Sequence, residues 1–187
     1  TQANQAMLAH LDNAQMARVI FASSVAAGPK APSVYGQAKQ DVTESIVAAG
    51  GRVLVLGGVV DTPPGGSYRE LCEKVANSRL SLRFKGIEPE LHLTPIEMAL
   101  GGFVDALEGR LPAGVHPLFD NEPIGFNAFM EQLEARAPRK RIPMPLWSPG
   151  LFGAAKALRP SPFGPILDRL SSFVGRDPGW LQSLKAS

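Results

Sequence analysis

The sequence predicts an α/β protein, and three observations lead to that class. Within the first 60 residues, two short apolar runs follow two segments of helical periodicity, in the order helix, strand, helix, strand. This alternation is typical of parallel strands joined by crossover helices. Both runs are apolar on every residue or nearly so, as expected when helices cover both faces of a sheet. A length of 187 residues suffices for one core, or for a domain with a small appendage.

The first part of the chain divides into predicted elements with clear ends. They are a helix over Asn4–Asn13, a strand over Arg18–Ala22, a loop over Ser23–Ser33, a helix over Val34–Ala49 and a strand over Arg52–Leu56. Gly50 and Gly51 follow the second helix, where glycine commonly ends helices. The segment GGVVDTPPGG after the second strand is predicted to be a long turn.

Beyond residue 65 the pattern is less regular. It predicts helices over Tyr68–Asn77, Pro95–Glu108 and Ile124–Ala137, and strands over Arg79–Phe84 and Val115–Phe119. The apolar residues of the middle helix are expected to be buried, namely Met98, Leu100, Phe103, Val104 and Leu107. A basic, proline-rich joint follows, and the tail from Leu151 to Lys185 is expected to hold two or three helical pieces.

Composition argues against several kinds of partner. The net charge of +2 gives no reason to expect nucleic acid. No apolar run approaches the roughly 20 residues of a membrane span. Cys72 is the only cysteine, so no intrachain disulfide can form, which fits a reducing, cytoplasmic location. His10, His92 and His116 lie far apart without neighbouring ligands, so no metal site is expected.

Ser24, Tyr35 and Lys39 are the residues with the clearest chemical potential. Ser23 and Ser24 directly follow the first predicted strand, at its C-terminal end, and ligands of open α/β sheets bind beyond the carboxyl ends of the strands. Tyr35 and Lys39 are four residues apart and therefore share a helix face. An ammonium beside a phenol favours the phenolate, which can exchange a proton with a substrate oxygen while a serine hydroxyl holds that oxygen. The spacing alone also fits a surface tyrosine and a solvated lysine, and the strand–loop–helix context favours the site.

These segments resemble the extended branch of the short-chain dehydrogenase/reductase superfamily, which contains nucleotide-sugar epimerases, dehydratases and reductases. VIFASS is similar to the family's strand ending in two serines, and YGQAKQDVTE to its Y-G-x-S-K-x-x-x-E helix, with Ala38 in place of the small serine. VLVLGGVVDTPPG is similar to the strand and loop beside the nicotinamide, and Asn4 to the asparagine of an N-x-x-x-T-x-N-L-L helix. Fainter similarity continues in PIEMALGGFVDALEG, FNAFMEQLEA and RIPMPLW.

The resemblance implies a role for each matching residue. Tyr35 would be the catalytic acid/base, Lys39 would favour its phenolate and bind the nicotinamide ribose, and Ser24 would orient the substrate oxygen. Asn4 would help to hold the first helix near the site. The implied cofactor-binding set is Ser23, Tyr35, Lys39, Gly57, Gly58 and Val59, with NAD or NADP as the cofactor and no metal.

The sequence also departs from the family pattern. Only 23 residues precede Ser24, and none of them forms the family's G-x-x-G-x-x-G fingerprint, whose glycines present backbone amides to phosphate at a helix N-terminus. The loop from Ser24 to Tyr35 is short for this branch, and PELHLTP lacks the arginine that often meets a nucleotide diphosphate. We therefore expect a truncated or processed chain, a dinucleotide-binding half outside this sequence, or assembly with another copy. An open sheet edge and uncovered apolar helix faces should accompany that absence.

The predicted fold is thus part of a Rossmann-like parallel sheet, with residues 1–65 as the C-terminal part of a dinucleotide-binding domain and residues 66–187 as a smaller substrate-binding region. The predicted function is NAD(P)-dependent epimerisation, dehydration or reduction of a sugar-like substrate, with a nucleotide-sugar as one option, in which Tyr35 is the acid/base and a hydride passes to or from the nicotinamide. The alternative is a catalytically degenerate member, or a fragment, that acts as a binding or regulatory protein. By analogy with the family, a homodimer is expected.

Overall fold

The computed structural model describes residues 6, 8, 10–31, 33–86, 88–147 and 178–185. Its helices are α1 (Asn13–Met16), α2 (Val34–Ala48), α3 (Gly66–Asn77), α4 (Ile96–Leu107), α5 (Phe126–Ala135) and α6 (Pro178–Lys185). Its strands are β1 (Ile20–Ser24), β2 (Arg52–Leu56), β3 (Gly58–Val60), β4 (Leu80–Lys85), β5 (Glu90–Leu91), β6 (Leu93–Pro95), β7 (Gly114–Leu118), β8 (Ile124–Gly125) and β9 (Ile142–Trp147). No helix among these residues is long and apolar enough to cross a membrane.

A parallel sheet in the order β1–β2–β7 organises the first part of the chain. Ser24 of β1 aligns with Leu56 of β2, and Leu56 aligns with Leu118 of β7. The carboxyl ends of the three strands therefore lie at one edge, and α2 is the crossover that joins the first two. The α/β class and the parallel sheet predicted from the sequence are confirmed.

Helices cover both faces of this sheet, which explains why β2 is apolar from Val53 to Leu56. Val53 and Val55 are fully buried in a core that includes Val42 and Ile46 of α2. Leu54 points to the opposite face because side chains alternate along a strand. On that face α4 packs closely, and a Cβ added at Gly102 would overlap the Leu118 side chain.

The later part of the chain has its own small sheets and its own core. β4 pairs with β9 in parallel, β3 pairs with β6 in parallel, and β5 pairs with β8 in antiparallel orientation. The core lies between α3, α5 and these strands, and it contains Val75, Phe84, Leu91, Phe126, Phe129, Met130 and Leu133. Phe84 and Phe126 meet edge to face, with ring centroids 4.9 Å apart.

The structure corrects several predicted boundaries. GGVVDTPPGG is not wholly a turn, because Gly58–Val60 forms β3 against β6. The helix expected from Ile124 begins only at Phe126, after the short strand β8. Such two- and three-residue strands depend on distant partners, which local periodicity does not reveal. Of the helix predicted over Asn4–Asn13, residues 4, 5, 7 and 9 lie outside the described residues. Ala6 and Leu8 are helical, but Leu11 and Asp12 are not, and a separate helix begins at Asn13. Most of the predicted tail also lies outside the described residues, and Pro178–Lys185 is helical.

The buried face of α4 is a larger correction. Its buried residues are Ala99, Gly102 and Ala106, which bring the helix close to the sheet. Most of the side chains expected to be buried are instead exposed, at 37% for Met98, 58% for Leu100, 45% for Val104 and 74% for Leu107. The small residues face the sheet because α4 lies too close to it for large side chains to fit between them. The large apolar side chains of α4 are therefore exposed and form the uncovered apolar surface that the sequence led us to expect.

Candidate active site

Ser23 and Ser24 end β1 with their side chains on opposite faces. The Ser23 hydroxyl is buried and lies 2.9 Å from the Thr43 hydroxyl of α2. The Ser24 Oγ accepts a hydrogen bond of 3.2 Å from the Ala26 N–H, where the chain turns out of the strand. Ser23 therefore ties the strand to the helix, while Ser24 is the serine left at the carboxyl edge.

Tyr35 lies in the first turn of α2. Ser33 caps this helix, and its buried Oγ accepts the Gly36 N–H at 2.9 Å. The Tyr35 side chain is 44% exposed, so it is open to a ligand rather than packed in the core. The loop before the helix is pinned by the Ala31 carbonyl, which accepts from the Gln37 amide at 3.1 Å.

Lys39 lies one helical turn beyond Tyr35, as the spacing predicts. Its ammonium is 5.9 Å from the centroid of the Tyr35 ring and 4.4 Å from that of Phe21. It donates a hydrogen bond of 2.6 Å to the Ala22 carbonyl of β1. Partial burial of the ammonium lowers the pKa of Lys39 from its ordinary value, because desolvation disfavours the charged form.

Gly57, Gly58 and Val59 continue from β2 at the same edge as Ser24. The Gly57 N–H donates to the Thr94 hydroxyl at 2.8 Å, and a Cβ at Gly57 would lie 2.2 Å from the His92 carbonyl oxygen. Glycine is therefore needed at position 57 so that β6 can cross close to the chain. Gly58 and Val59 are exposed, which leaves their surface open at the carboxyl edge.

The arrangement supplies a proton-transfer group and a hydrogen-bonding hydroxyl at one end of a parallel sheet. Tyr35 and Lys39 are neighbours, and Gly58 lies two residues beyond Leu56, the β2 residue that aligns with Ser24. An exposed phenol beside an ammonium can give or take a proton at a substrate oxygen. Asn4, which the family resemblance places near the site, lies outside the described residues.

Arg136, which follows α5, and Arg141, which precedes β9, contact other parts of the chain. The Arg141 guanidinium donates to the Val75 carbonyl at 3.2 Å and to the Ala137 carbonyl at 2.9 Å. The Arg136 guanidinium lies 5.7 Å from the Tyr68 ring centroid, and burial raises the pKa of the Tyr68 phenol although Arg136 acts against it. In the part of the chain that the structure describes, no three His, Cys, Asp or Glu side chains gather where they could hold a metal ion.

Sequence reasoning missed the residues that hold the site in place. Thr43 and Thr94 are both buried, and the Thr94 hydroxyl joins the ends of β2 and β7 by accepting from Gly57 and donating to the Leu118 carbonyl at 2.5 Å. Neither threonine has a local sequence signal, because Ser23, Gly57 and Leu118, which they join to the site, are distant from them in the chain. The glycine of the motif Y-G-x-S-K could have been noticed, since a glycine inside a helix is unfavourable unless packing requires it.

Comparison with known proteins identifies the fold. No family model matches the sequence, and no curated protein matches it. The ADP-L-glycero-D-manno-heptose-6-epimerase of Helicobacter pylori superposes with a TM-score of 0.55 at 19% identity, over 76% of this chain and 53% of that chain. A nucleoside-diphosphate-sugar epimerase of Staphylococcus aureus superposes with a TM-score of 0.59 at 11% identity, over 90% of this chain and 60% of that chain.

The class that these comparisons define is an α/β fold shared with sugar epimerases. At such low identities the likeness shows the fold alone. This chain spans 53% and 60% of the lengths of the two enzymes. The activity, the substrate and the cofactor of the whole protein are therefore treated below as proposals.

Proposed function

We propose that this chain forms the proton-transfer part of an NAD(P)-dependent oxidoreductase or epimerase. The observation that carries the proposal is the placement of Tyr35 and Lys39. They lie on the helix that leaves β1, beside the carboxyl end of that strand, with the ammonium 5.9 Å from the centroid of an exposed phenol ring. Ligands of parallel α/β sheets bind at this edge.

Each of the three residues has a separate task in this proposal. Tyr35 takes the proton from a substrate hydroxyl during oxidation and returns it during reduction. Ser24 holds the same oxygen, and Lys39 stabilises the phenolate by its positive charge. The nicotinamide, when bound, would accept or return the hydride of the carbon that bears this oxygen, so that the C–H and O–H bonds are exchanged for C=O.

The described residues fit one end of the cofactor only. Ser24, Tyr35, Lys39, Gly58 and Val59 present hydroxyl, ammonium and small apolar surface suited to the nicotinamide and its ribose. No described segment has the glycine-rich strand-to-helix turn that would hold the diphosphate. Tight dinucleotide binding therefore requires a phosphate-binding element from a longer polypeptide or another chain.

A sugar-like substrate is the proposal that agrees best with the fold. Both structural relatives described above are named as epimerases of nucleotide-linked sugars. A sugar offers a secondary alcohol whose oxidation and re-reduction need one acid/base group and one hydride carrier. In this proposal Gly58 and Val59 contact the cofactor side of the site, and Ser24 contacts the sugar.

The proposal predicts that the Tyr35→Phe variant loses turnover while keeping its fold. Turnover of a panel of ADP-, UDP- and GDP-sugars would be followed with NAD⁺ and NADP⁺ by absorbance and product analysis. Removal of a positioned acid/base should cost at least about 100-fold in kcat. Tyr68→Phe is the matched control, because it removes the chain's other phenol far along the sequence and should leave kcat unchanged.

Cofactor binding is measured separately by calorimetry with NADH and NADPH. Equal turnover in wild type and Tyr35→Phe would remove Tyr35 from the mechanism. Cofactor binding without turnover of any sugar would favour the alternative of a binding or regulatory protein. If a protein that carries a phosphate-binding element showed neither cofactor binding nor turnover of any sugar, the enzyme proposal would be overturned.

A further inference from the structure

A buried pair of hydroxyls joins β1 to the middle of α2. The Ser23 and Thr43 hydroxyl oxygens lie 2.9 Å apart, and the two residues are 4% and 3% exposed. The Thr43 hydroxyl also donates to the Lys39 carbonyl at 2.8 Å. Because a hydroxyl has one proton, Thr43 accepts at the other contact and Ser23 is the donor there. The hydrogen bonds therefore run in one direction, from the strand to the backbone of Lys39.

Packing alone does not require a hydroxyl at position 43. Thr43 lies with Val42 and Ile46 on the buried side of α2. Valine would fill this apolar setting with nearly the same shape, whereas a buried hydroxyl is costly unless it is hydrogen-bonded. A threonine bound to the carbonyl one turn back in its own helix is common. The bond to Ser23 makes this threonine a link between two elements, so its hydroxyl sets how α2 sits on β1.

Lys39 is held by β1 at both of its ends. Its backbone is tied to Ser23 through Thr43, and its ammonium lies 4.4 Å from the Phe21 ring centroid. Phe21 and Ser23 are two residues apart and therefore lie on the same face of the strand. The ammonium held in this way lies 5.9 Å from the Tyr35 ring centroid. The hydroxyl link is buried between strand and helix, so it does not depend on which strands lie beside β1.

We propose that Thr43 is a positioning residue, which together with Ser23 sets where the Lys39 ammonium lies relative to the Tyr35 phenol. Loss of the Thr43 hydroxyl leaves a buried donor on Ser23 without its partner, and this turn of α2 is then free to shift. A displaced ammonium stabilises the phenolate less, because the attraction between charges falls with distance. The importance of this position for catalysis rests on the proposed function, whereas the position itself can be measured without turnover.

Variants of the link separate the hydroxyl from the shape of the side chain. Thr43→Val removes the hydroxyl at nearly constant shape, Thr43→Ser keeps it, and Ser23→Ala removes the donor. Ser45→Ala is the matched control, because the exposed Ser45 hydroxyl donates to the Asp41 carbonyl at 2.9 Å within the same helix. Circular dichroism would check the fold of each variant.

NMR of isotope-labelled lysine would report where Lys39 lies, with its signal identified by its loss in Lys39→Arg. The ring current of Phe21 should move the ε-methylene protons of Lys39 upfield of those of the other lysines. Thr43→Val and Ser23→Ala should lose most of this shift, and Thr43→Ser and Ser45→Ala should keep it. An unchanged Lys39 signal in Thr43→Val, or an equal effect of Ser45→Ala, would overturn the proposal. Absence of the upfield shift from the wild type would do so as well, even if Thr43→Val failed to fold.

The same variants test the consequence for the reaction, in a protein that carries a phosphate-binding element. Thr43→Val should lower kcat at least roughly tenfold and leave KM nearly unchanged, because misplaced catalytic groups cost rate and Thr43 is too buried to touch a ligand. Thr43→Ser should retain most of the rate. An unchanged kcat in Thr43→Val would overturn the positioning role. A wild type without turnover, whose Lys39 signal nevertheless responds as expected, would contradict the proposed function and support the positional link.

Discussion

At the scale of single residues, Gly36 shows how packing positions the catalytic candidate beside it. A Cβ at this position would lie 2.1 Å from the Ala26 carbonyl oxygen and 2.9 Å from the Ala31 Cβ. The loop that leaves β1 therefore rests directly on the first turn of α2. The Gly36 N–H also donates to the Ser33 cap. Together with the close contact to Ala26 and Ala31, this hydrogen bond fixes the backbone position from which the Tyr35 side chain extends.

We predict that Gly36→Ala destabilises the protein although alanine is the better helix former. Intrinsic propensity should favour alanine by up to about 1 kcal/mol, but overlap with a backbone oxygen forces the loop to move and should leave a net loss of about 1–3 kcal/mol. Urea unfolding would measure the change. Gly101→Ala on α4 is the matched control, since no atom lies within 4 Å of the added Cβ. A loss for Gly101→Ala as large as for Gly36→Ala would contradict this explanation.

At the scale of elements, an ion pair joins β4 to α5. The Arg83 guanidinium binds both carboxylate oxygens of Glu134, at 3.2 and 2.7 Å, and the Glu134 side chain is only 13% exposed. Burial alone would raise the pKa of Glu134. Hydrogen bonds from Arg83 and Ser81, with the charges of Arg83 and Arg141, outweigh it, so the pKa lies below its usual value.

The pair predicts a pH-dependent contribution to stability. A carboxyl whose pKa is lowered by folding stabilises the native state above its unfolded pKa, near 4.3, and loses that contribution as pH falls through the folded value. Glu134→Gln should therefore cost about 1–3 kcal/mol at pH 7, with a smaller difference from wild type below pH 4. Urea unfolding across this range checks the result. Glu131→Gln is the control, because Glu131 is 68% exposed and 4.0 Å from Arg83. Equal losses for both variants, or a loss independent of pH, would refute the prediction.

At the scale of the whole molecule, the sheet core uses residues from both ends of the chain. Met16 of α1 and Leu184 of α6 meet Phe119 in the same cluster as β2. β7, which comes after the intervening α3 and α4, also returns to this sheet. The second core is built from residues between Val60 and Leu133. The division of the chain at residue 65 and the homodimer remain predictions.

We predict that Leu184→Ala lowers the free energy of unfolding by about 2–5 kcal/mol. The side chain is 5% exposed, so truncation removes buried contacts and leaves a cavity in the sheet core. Thermal and urea unfolding would measure the loss. Leu107→Ala makes the same chemical change at a position that is 74% exposed and should alter stability by less than about 0.5 kcal/mol. Similar effects at the two positions would show that α6 does not contribute to this core.

Local sequence patterns predicted the secondary structure correctly wherever residues close in sequence determine it. The apolar run at Arg52–Leu56 became β2 with the predicted bounds, and the helix starting at Val34 was one residue shorter than expected. The four-residue spacing placed Tyr35 and Lys39 on one face of that helix. Prediction was poorer for β3 and β8, whose few residues are ordered by partners far along the chain.

By itself, the sequence determined the α/β class, the parallel sheet and the strand–loop–helix unit that carries Ser24, Tyr35 and Lys39. These follow from short apolar runs and from a helical period of about 3.6 residues, which are local properties of the chain. Only the tertiary structure decided that α4 buries its small residues rather than its large ones. It alone placed Thr94 between the ends of β2 and β7, and the Lys39 ammonium on the Ala22 carbonyl. These contacts depend on distances between elements, because hydrogen bonding and close packing act between atoms that the sequence keeps far apart.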